Sequence, residues 1–178
     1  TGSTLYVGGN FTTVNGGTVR NHLAAFDTST STATSFNPNV NGDIYGVNLT
    51  GSTLYVGGTF TGVNGTTTRN FLGAVDSNSG AALSFNPNLN NPVSSIAISG
   101  STLYAGGTFT TVNGGTTRNR LAAFDTSTST ATSFNPNLNN ASFTLYLSGS
   151  TLYVGGMFNT VNGATSRSKV AAFDTSTG

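Results

Sequence analysis

The stretch TLYVGGNF (residues 4–11) returns as TLYVGGTF (53–60), TLYAGGTF (102–109) and TLYVGGMF (151–158). Each copy starts 49 residues after the one before it, with no insertion or deletion. Repeat periods of about 40–50 residues with several short strands per repeat are typical of propeller blades, whereas helical arrays of similar period need helix-forming segments. The stretch predicts a β-strand, because its residues are β-branched, aromatic and apolar and are bounded by glycine. An all-β repeat protein is therefore expected.

Each period contains four strand candidates. Besides the opening stretch these are IYGVNL (44–49), HLAAFD (22–27) and ATSFNP (33–38), each with counterparts in other repeats. A loop built on Val-Asn-Gly separates the second strand from the third, and Asn-Gly supplies the positive φ angles of a tight reversal. Both faces of the second and third strands are apolar, so these strands must be covered on both sides. The sequence predicts β-propeller-type repeats with four-stranded antiparallel blades, about three and a half of them in this chain.

We expect one repeat domain over 1–178, with repeats at approximately 1–42, 43–91, 92–140 and 141–178. The first and last of these repeats do not contain all four strand candidates. Closed propellers usually have about four to eight blades. We therefore expect the chain to be an excerpt of a longer array or ring. Its terminal faces, near Leu5 and Val170, should contact further blades of the same chain or of a homo-oligomer.

Charged and thiol side chains are scarce. Charged residues make up 6% of the 178 residues, the formal net charge is +1, and cysteine is absent. A chain without a basic face does not attract phosphates, so nucleic acid is not an expected partner. The absence of cysteine excludes thiolate chemistry, disulfides and cysteine-bound zinc. No apolar run reaches the length of a membrane span, so we expect no membrane insertion.

Most of the charged residues recur with the repeat, as an arginine before the third strand and an aspartate at its end. They are Arg20, Asp27, Arg69, Asp76, Arg118, Asp125, Arg167 and Asp174. One interpretation is a ring of ligand contacts. The other is structural: each aspartate opens a turn and accepts backbone N–H bonds, and each arginine binds a carboxylate or loop carbonyls. We favour the structural interpretation, because a binding site rarely requires the same residue in every blade.

Residues for catalysis or metal binding are few. His22 is the only histidine, and no nucleophile-elbow pattern accompanies it. Each predicted turn has one acidic residue, whereas calcium loops need several. We expect no catalytic, cofactor or metal site, and no enzyme activity. Three aromatic residues, Tyr45, Phe143 and Tyr146, stand where other repeats have Ser94, Asn48 or Ala97, and we predict that they belong to a contact surface.

The order of the motifs resembles a known family. LYVGGxF, VNG, an arginine, LAAFD and FNPN follow one another in the repeat. This combination resembles the bacterial delta-60 or kelch-like β-propeller repeat of secreted and cell-surface proteins. The resemblance implies a four-stranded blade and a secreted or cell-surface location, with functions commonly supposed to be adhesion or interaction. Fold alone does not carry function from one protein to another.

Three classes of function remain. The regular repeats and the uncharged Thr- and Asn-rich surface predict a non-catalytic extracellular structural, adhesion or protein-interaction module. A carbohydrate-binding, lectin-like propeller is the alternative, because Asn, Thr and Tyr suit sugar hydroxyls; its partners would be glycans or surface proteins. A kelch-like secreted enzyme is the least favoured, since kelch-fold oxidases use a Cys-linked Tyr and this chain has no cysteine.

Overall fold

The fold is known from a computed structural model that describes residues 2–178. Within this range the chain forms nineteen strands, joined by turns and bends, and no helix. It follows that residues 2–178 hold no helical segment of the length and apolarity needed to cross a bilayer. The all-β fold class is therefore confirmed.

The strands follow the repeat. The first repeat contains β1 (Thr4–Gly8), β2 (Thr13–Val14), β3 (Thr18–Val19) and β4 (Leu23–Asp27). The second contains β5 (Ile44–Thr50), β6 (Thr53–Gly58), β7 (Gly62–Val63), β8 (Thr67–Thr68) and β9 (Leu72–Asp76). The third contains β10 (Val93–Ser99), β11 (Thr102–Gly107), β12 (Thr111–Val112), β13 (Thr116–Thr117) and β14 (Leu121–Asp125). The fourth contains β15 (Ser142–Ser148), β16 (Thr151–Gly156), β17 (Thr160–Val161), β18 (Thr165–Ser166) and β19 (Val170–Asp174).

Four antiparallel sheets form the body of the protein. The first sheet pairs β1 with β4, and the others have the strand orders β5-β6-β9, β10-β11-β14 and β15-β16-β19. The three larger sheets share one register; for example, Leu103 lies opposite Phe124 and Leu152 lies opposite Phe173. The strands therefore lie where the sequence placed the first three candidates of each repeat.

Each Val-Asn-Gly loop forms a short hairpin that was not predicted. The hairpins are β2-β3, β7-β8, β12-β13 and β17-β18, with two residue pairs each. In the first hairpin Asn15 and Gly16 are the central residues of a turn closed by the N–H of Gly17 and the backbone oxygen of Val14, 3.1 Å apart. Their φ angles of 45° and 72° are the left-handed ones that such a turn needs. The sequence thus predicted the turn but not the strand pairing on either side of it.

The predicted fourth strand is corrected to a single bridge. In ATSFNP (33–38) only Ala33 pairs with the third strand, opposite Phe26. The pairing ends at the same place in all three repeats, where the arginine takes the next backbone oxygen: Arg20 that of Thr34, Arg69 that of Leu83 and Arg118 that of Thr132. The chain then bends at Ser35. The bend carries the Phe36 side chain into the core, where it is buried. The larger sheets therefore have three strands rather than four.

Every sheet has two different apolar faces. In the first sheet, one face, here called the tyrosine face, carries Tyr6, Gly8, Leu23 and Ala25. The opposite face, here called the leucine face, carries Leu5, Val7, Ala24 and Phe26. The counterparts of these residues define the same two faces in the other sheets. The alternation follows from the two-residue period of a strand.

The hydrophobic cores lie between sheets, where the tyrosine face of one sheet packs on the leucine face of the next. The first such core joins Tyr6, Leu23 and Ala25 to Leu54, Val56 and Val75. Equivalent cores lie between the second and third sheets and between the third and fourth. A phenylalanine of the FNP segment packs edge-on against each tyrosine, with ring centroids 5.2–5.4 Å apart. Equivalent contacts thus recur at all three interfaces between neighbouring sheets.

Several of the glycines that end the second strands lie where a Cβ would collide with a neighbour. A Cβ added at the first glycine, Gly57, would lie 2.7 Å from a methyl carbon of Val93 in the next sheet. A Cβ added at the second glycine, Gly107, would lie 2.2 Å from the backbone oxygen of Pro92 in its own repeat. The first glycine therefore lets neighbouring sheets approach, and the second lets the incoming chain pass close to the strand.

Candidate interaction surfaces

The leucine face of the first sheet is uncovered. Leu5 is 54% exposed, whereas its counterpart Leu103, between two sheets, is 0% exposed. An open hollow of about 360 Å³ lies over this face, lined by Leu5, Val7, Phe26, Asp27, Thr28 and Ser31. The same residue positions that form a core elsewhere form a surface hollow here.

The tyrosine face of the fourth sheet is uncovered as well. Tyr153 is 46% exposed and Val170 is 65% exposed, whereas Tyr104, the counterpart of Tyr153 in the third sheet, is 3% exposed. Tyr146 lies directly opposite Tyr153 in the strand register, with ring centroids 6.4 Å apart. Two exposed tyrosines and an exposed valine therefore lie on one sheet face.

Tyrosine hydroxyls join neighbouring sheets at two of the three covered tyrosine faces, those of the first and third sheets. The Tyr6 hydroxyl donates to the backbone oxygen of Ser77 at 2.9 Å, and the Tyr104 hydroxyl donates to that of Thr175 at 3.3 Å. Burial raises the pKa of Tyr104 above its usual value. Within residues 2–178 the hydroxyl of Tyr153 makes no hydrogen bond of this kind. The fourth tyrosine face thus lacks both its apolar cover and its polar partner.

The three predicted contact aromatics are all exposed. Tyr45 and Phe143, 54% and 49% exposed, occupy equivalent positions at a β-bulge in the first strand of their sheets. Tyr146 belongs to the uncovered tyrosine face. The structure does not gather the three into one cluster, because Tyr45 lies in the second sheet and the other two lie in the fourth. Sequence reasoning missed Tyr153 as a surface residue, because its local sequence is the same as that around the buried tyrosines.

Each periodic aspartate organises the turn that follows the third strand. One carboxylate oxygen of Asp125 accepts the hydroxyl of Ser127 at 2.6 Å and the N–H groups of Ser127 and Thr128, both at 2.9 Å. These hydrogen bonds, chiefly the one from the Ser127 hydroxyl, lower the pKa of Asp125 to about 2. The other three aspartates accept equivalent backbone bonds: Asp27, Asp76 and Asp174.

We expect acid to weaken this turn. The pKa of Asp125 is about 2 in the folded chain against an ordinary 3.8, so its stabilising effect is complete above about pH 4 and is lost as the pH falls towards 2. The thermal unfolding midpoint should therefore fall over that interval. Asp125→Asn keeps an acceptor oxygen but does not titrate, and its midpoint should fall less steeply. Circular dichroism at each pH measures both midpoints; parallel curves would show that the carboxylate has no such role.

Each periodic arginine binds backbone carbonyls of its own repeat. The guanidinium of Arg118 donates to the backbone oxygens of Thr117, at 2.9 Å, and Thr132, at 2.5 Å. Arg20 and Arg69 bind the equivalent oxygens, and Arg167 binds the oxygen of Ser166. In residues 2–178 no arginine forms a salt bridge with an aspartate. The arginine thus ties the Val-Asn-Gly hairpin to the segment after the third strand.

His22 lies beside one carboxylate and one backbone carbonyl. Its Nδ1 lies 3.1 Å from a carboxylate oxygen of Asp43 and 3.3 Å from the backbone oxygen of Gly9. Both neighbours are acceptors, so Nδ1 carries a proton and donates. Over residues 2–178, no three His, Asp, Glu or Cys side chains lie close enough together to bind a metal ion. Through these two contacts, His22 links the end of β1 to the segment that leads into β5.

Two solved structures with a similar fold are computationally designed proteins. The Ika8 protein is 12% identical, with a TM-score of 0.58 over 88% of this chain and 41% of its own. The Ika4 protein is 11% identical, with a TM-score of 0.55 over 88% of this chain and 79% of its own. This chain thus spans less than half the length of Ika8. At such identities the likeness shows the fold alone, and it supports a repeat β-rich fold.

No protein-family model matches this chain, and no curated protein matches it either. The two designed proteins give no support for the delta-60 or kelch-like resemblance. At 12% and 11% identity, their likeness to this chain shows a fold and not a family. The family therefore stays a prediction.

Proposed function

We propose that this chain is a non-catalytic repeat module of β-propeller type, built from 49-residue blades, that acts by binding protein through its two end faces. The observation that carries the proposal is the contrast between covered and uncovered copies of the same face. Leu103 and Tyr104 are buried between sheets, whereas Leu5 and Tyr153, at the same repeat positions, are exposed. The proposal includes membership in the delta-60 or kelch-like repeats and a secreted or cell-surface location.

The chemistry of the end faces supports binding to protein. Leu5, Val7 and Phe26 on one face, and Tyr153 and Val170 on the other, carry no charge. Exposed apolar patches of this kind mark interaction sites in soluble proteins. β6, β11 and β16 each pair with the first strand of their sheet on one edge and with the third strand on the other. In the described chain, β1 pairs with β4 only, so its other edge is free. A free strand edge without charged side chains can accept a further strand.

The periodic charges support a structural rather than a ligand-binding role for the repeat positions. One carboxylate oxygen of Asp125 is occupied by its own turn, and the guanidinium of Arg118 donates to carbonyls of its own repeat. A ligand of the ring would have to compete with these carbonyls for the arginine. The interaction is therefore assigned to the end faces and not to the ring of arginines and aspartates.

Sedimentation equilibrium tests this function. The weight-average mass of the chain should rise above 18.0 kDa as its concentration rises from low to high micromolar, because the end faces become covered. Tyr45→Ser is the control: it removes an aromatic side chain of similar exposure from the second sheet and introduces the residue that the third repeat has there, Ser94. This variant should associate like the wild type. A mass of 18.0 kDa at every concentration would refute binding through the end faces.

Carbohydrate binding is the second candidate function, favoured by the exposure of Tyr45 and Phe143 at equivalent bulges. Aromatic rings on a surface offer an apolar body beside polar groups, which suits sugar rings. A glycan array separates the two functions. Glycan binding that is lost in Tyr45→Ser, while self-association is kept, would favour the carbohydrate-binding module.

A further inference from the structure

We propose that the two end faces bind each other, so that the leucine face of one chain packs on the tyrosine face of a second copy, head to tail. The inference rests on the proposed function and names its partner, a second copy of this chain. It follows from the three cores inside the molecule, each of which joins a tyrosine face to a leucine face.

The sheet residues of the two end faces match those of the interior cores, whereas the FNP phenylalanine that each interior core also contains has no counterpart within residues 2–178 of the fourth repeat. In the core between the third and fourth sheets, Tyr104 and Leu121 of the tyrosine face pack with Leu152, Val154 and Phe173 of the leucine face. A head-to-tail contact would bring Tyr153 and Val170 together with Leu5, Val7 and Phe26 of the second copy. These pairs have the same or closely similar side chains at the same repeat positions. The contact would bury them as the interior cores bury their counterparts.

One specific hydrogen bond is available across this contact. Inside the molecule, the tyrosines of the first and third sheets donate to the turn carbonyl of the next sheet, as Tyr6 does to Ser77. The residue at the position of Ser77 in the first repeat is Thr28, which lines the hollow beside Leu5. The hydroxyl of Tyr153 would therefore donate to the backbone oxygen of Thr28 in the second copy. This bond gives the contact a fixed register.

Contact between like faces would not satisfy these groups. Two tyrosine faces would place Tyr146 and Tyr153 of both chains against each other without a turn carbonyl for the hydroxyls. Two leucine faces would bring together two hollows with no tyrosine side chain to fill them. Unlike faces form a heterologous interface, which closes into a ring or continues as a chain of copies.

Two single variants distinguish head-to-tail contact from contact between like faces. Leu5→Arg blocks the leucine face and Val170→Arg blocks the tyrosine face; both residues are more than half exposed, so the fold should be kept. In sedimentation equilibrium each variant alone should stay at the monomer mass. An equimolar mixture should form a dimer of twice that mass, because the free tyrosine face of one variant fits the free leucine face of the other.

The double variant Leu5→Arg/Val170→Arg is the matched control, and it should form no dimer with either single variant. Adding Tyr153→Phe to the Leu5→Arg chain should weaken the mixed dimer about 2- to 10-fold, the effect of one lost hydrogen bond. Thermal unfolding confirms that each variant is folded.

The outcomes separate this inference from the proposed function. If either single variant dimerises alone, like faces bind and the head-to-tail contact is wrong. If the wild type associates but the mixture stays monomeric, the head-to-tail contact is again wrong, while an interaction module is retained. If the wild type itself stays monomeric, both proposals fail.

Discussion

Replacing Leu103 by Ala should destabilise the protein by about 2–5 kcal/mol, whereas the same change at Leu5 should cost less than about 1 kcal/mol. The two leucines have the same repeat position and the same local sequence, TLY. Leu103 is fully buried between the second and third sheets, so its loss leaves a cavity. Leu5 is 54% exposed, so its loss removes only part of its contacts and leaves no closed cavity.

Urea unfolding followed by circular dichroism measures this difference. Both changes are best made in the Val170→Arg chain at low concentration, so that self-association does not add to the stability. Equal losses at the two positions would mean that the two leucine faces have the same environment, and the stacking order described above would be wrong.

The strands could be predicted from the sequence because their signals are local. Alternating apolar residues and the closing glycine pair located β1, β6, β11 and β16, and Asn-Gly located the hairpin turns. The aspartate turns could be predicted for the same reason, since the hydrogen-bond donors of Asp125 lie within three residues of it. The strands, the hairpin turns and the aspartate turns all depend on residues that are close together in the sequence, so the local sequence is enough to predict them.

The fourth strand was predicted wrongly because the bond from the arginine to its backbone was not considered. ATSF has the composition of a strand, but the guanidinium of Arg20 takes the backbone oxygen of Thr34, and Arg69 and Arg118 do the same in the next two repeats. The partner of the arginines also could not be decided from the sequence. Carboxylate and carbonyl were both open, and in the structure the arginines bind carbonyls.

The exposure of Tyr153 could not be predicted from local sequence. Tyr104 and Tyr153 both follow Thr-Leu. Tyr104 precedes Ala-Gly-Gly, and Tyr153 precedes Val-Gly-Gly. One is buried and the other is exposed because a further sheet covers the first only. The surface that carries the proposed function is therefore set by the position of a sheet in the stack.

The second large effect is a loss of solvent exposure at the two end faces, which we expect when the chain associates. Tyr153 is 46% exposed in the single chain, and its counterpart Tyr104, under a neighbouring sheet, is 3% exposed. If a second copy covers Tyr153 in the same way, its reactivity towards solvent radicals should fall nearly to that of Tyr104. Leu5, on the opposite end face, should lose reactivity at the same concentrations, because one contact covers both residues.

Hydroxyl-radical footprinting with mass spectrometry, at low and high concentration of the wild-type chain, tests the end-face contact most directly. The account predicts that Leu5 and Tyr153 become protected together at high concentration, while Tyr45 and Val19, which are exposed away from the end faces, react equally at both concentrations. Unchanged reactivity of Leu5 and Tyr153 at high concentration, or protection of Tyr45 and Val19 in their place, would contradict it.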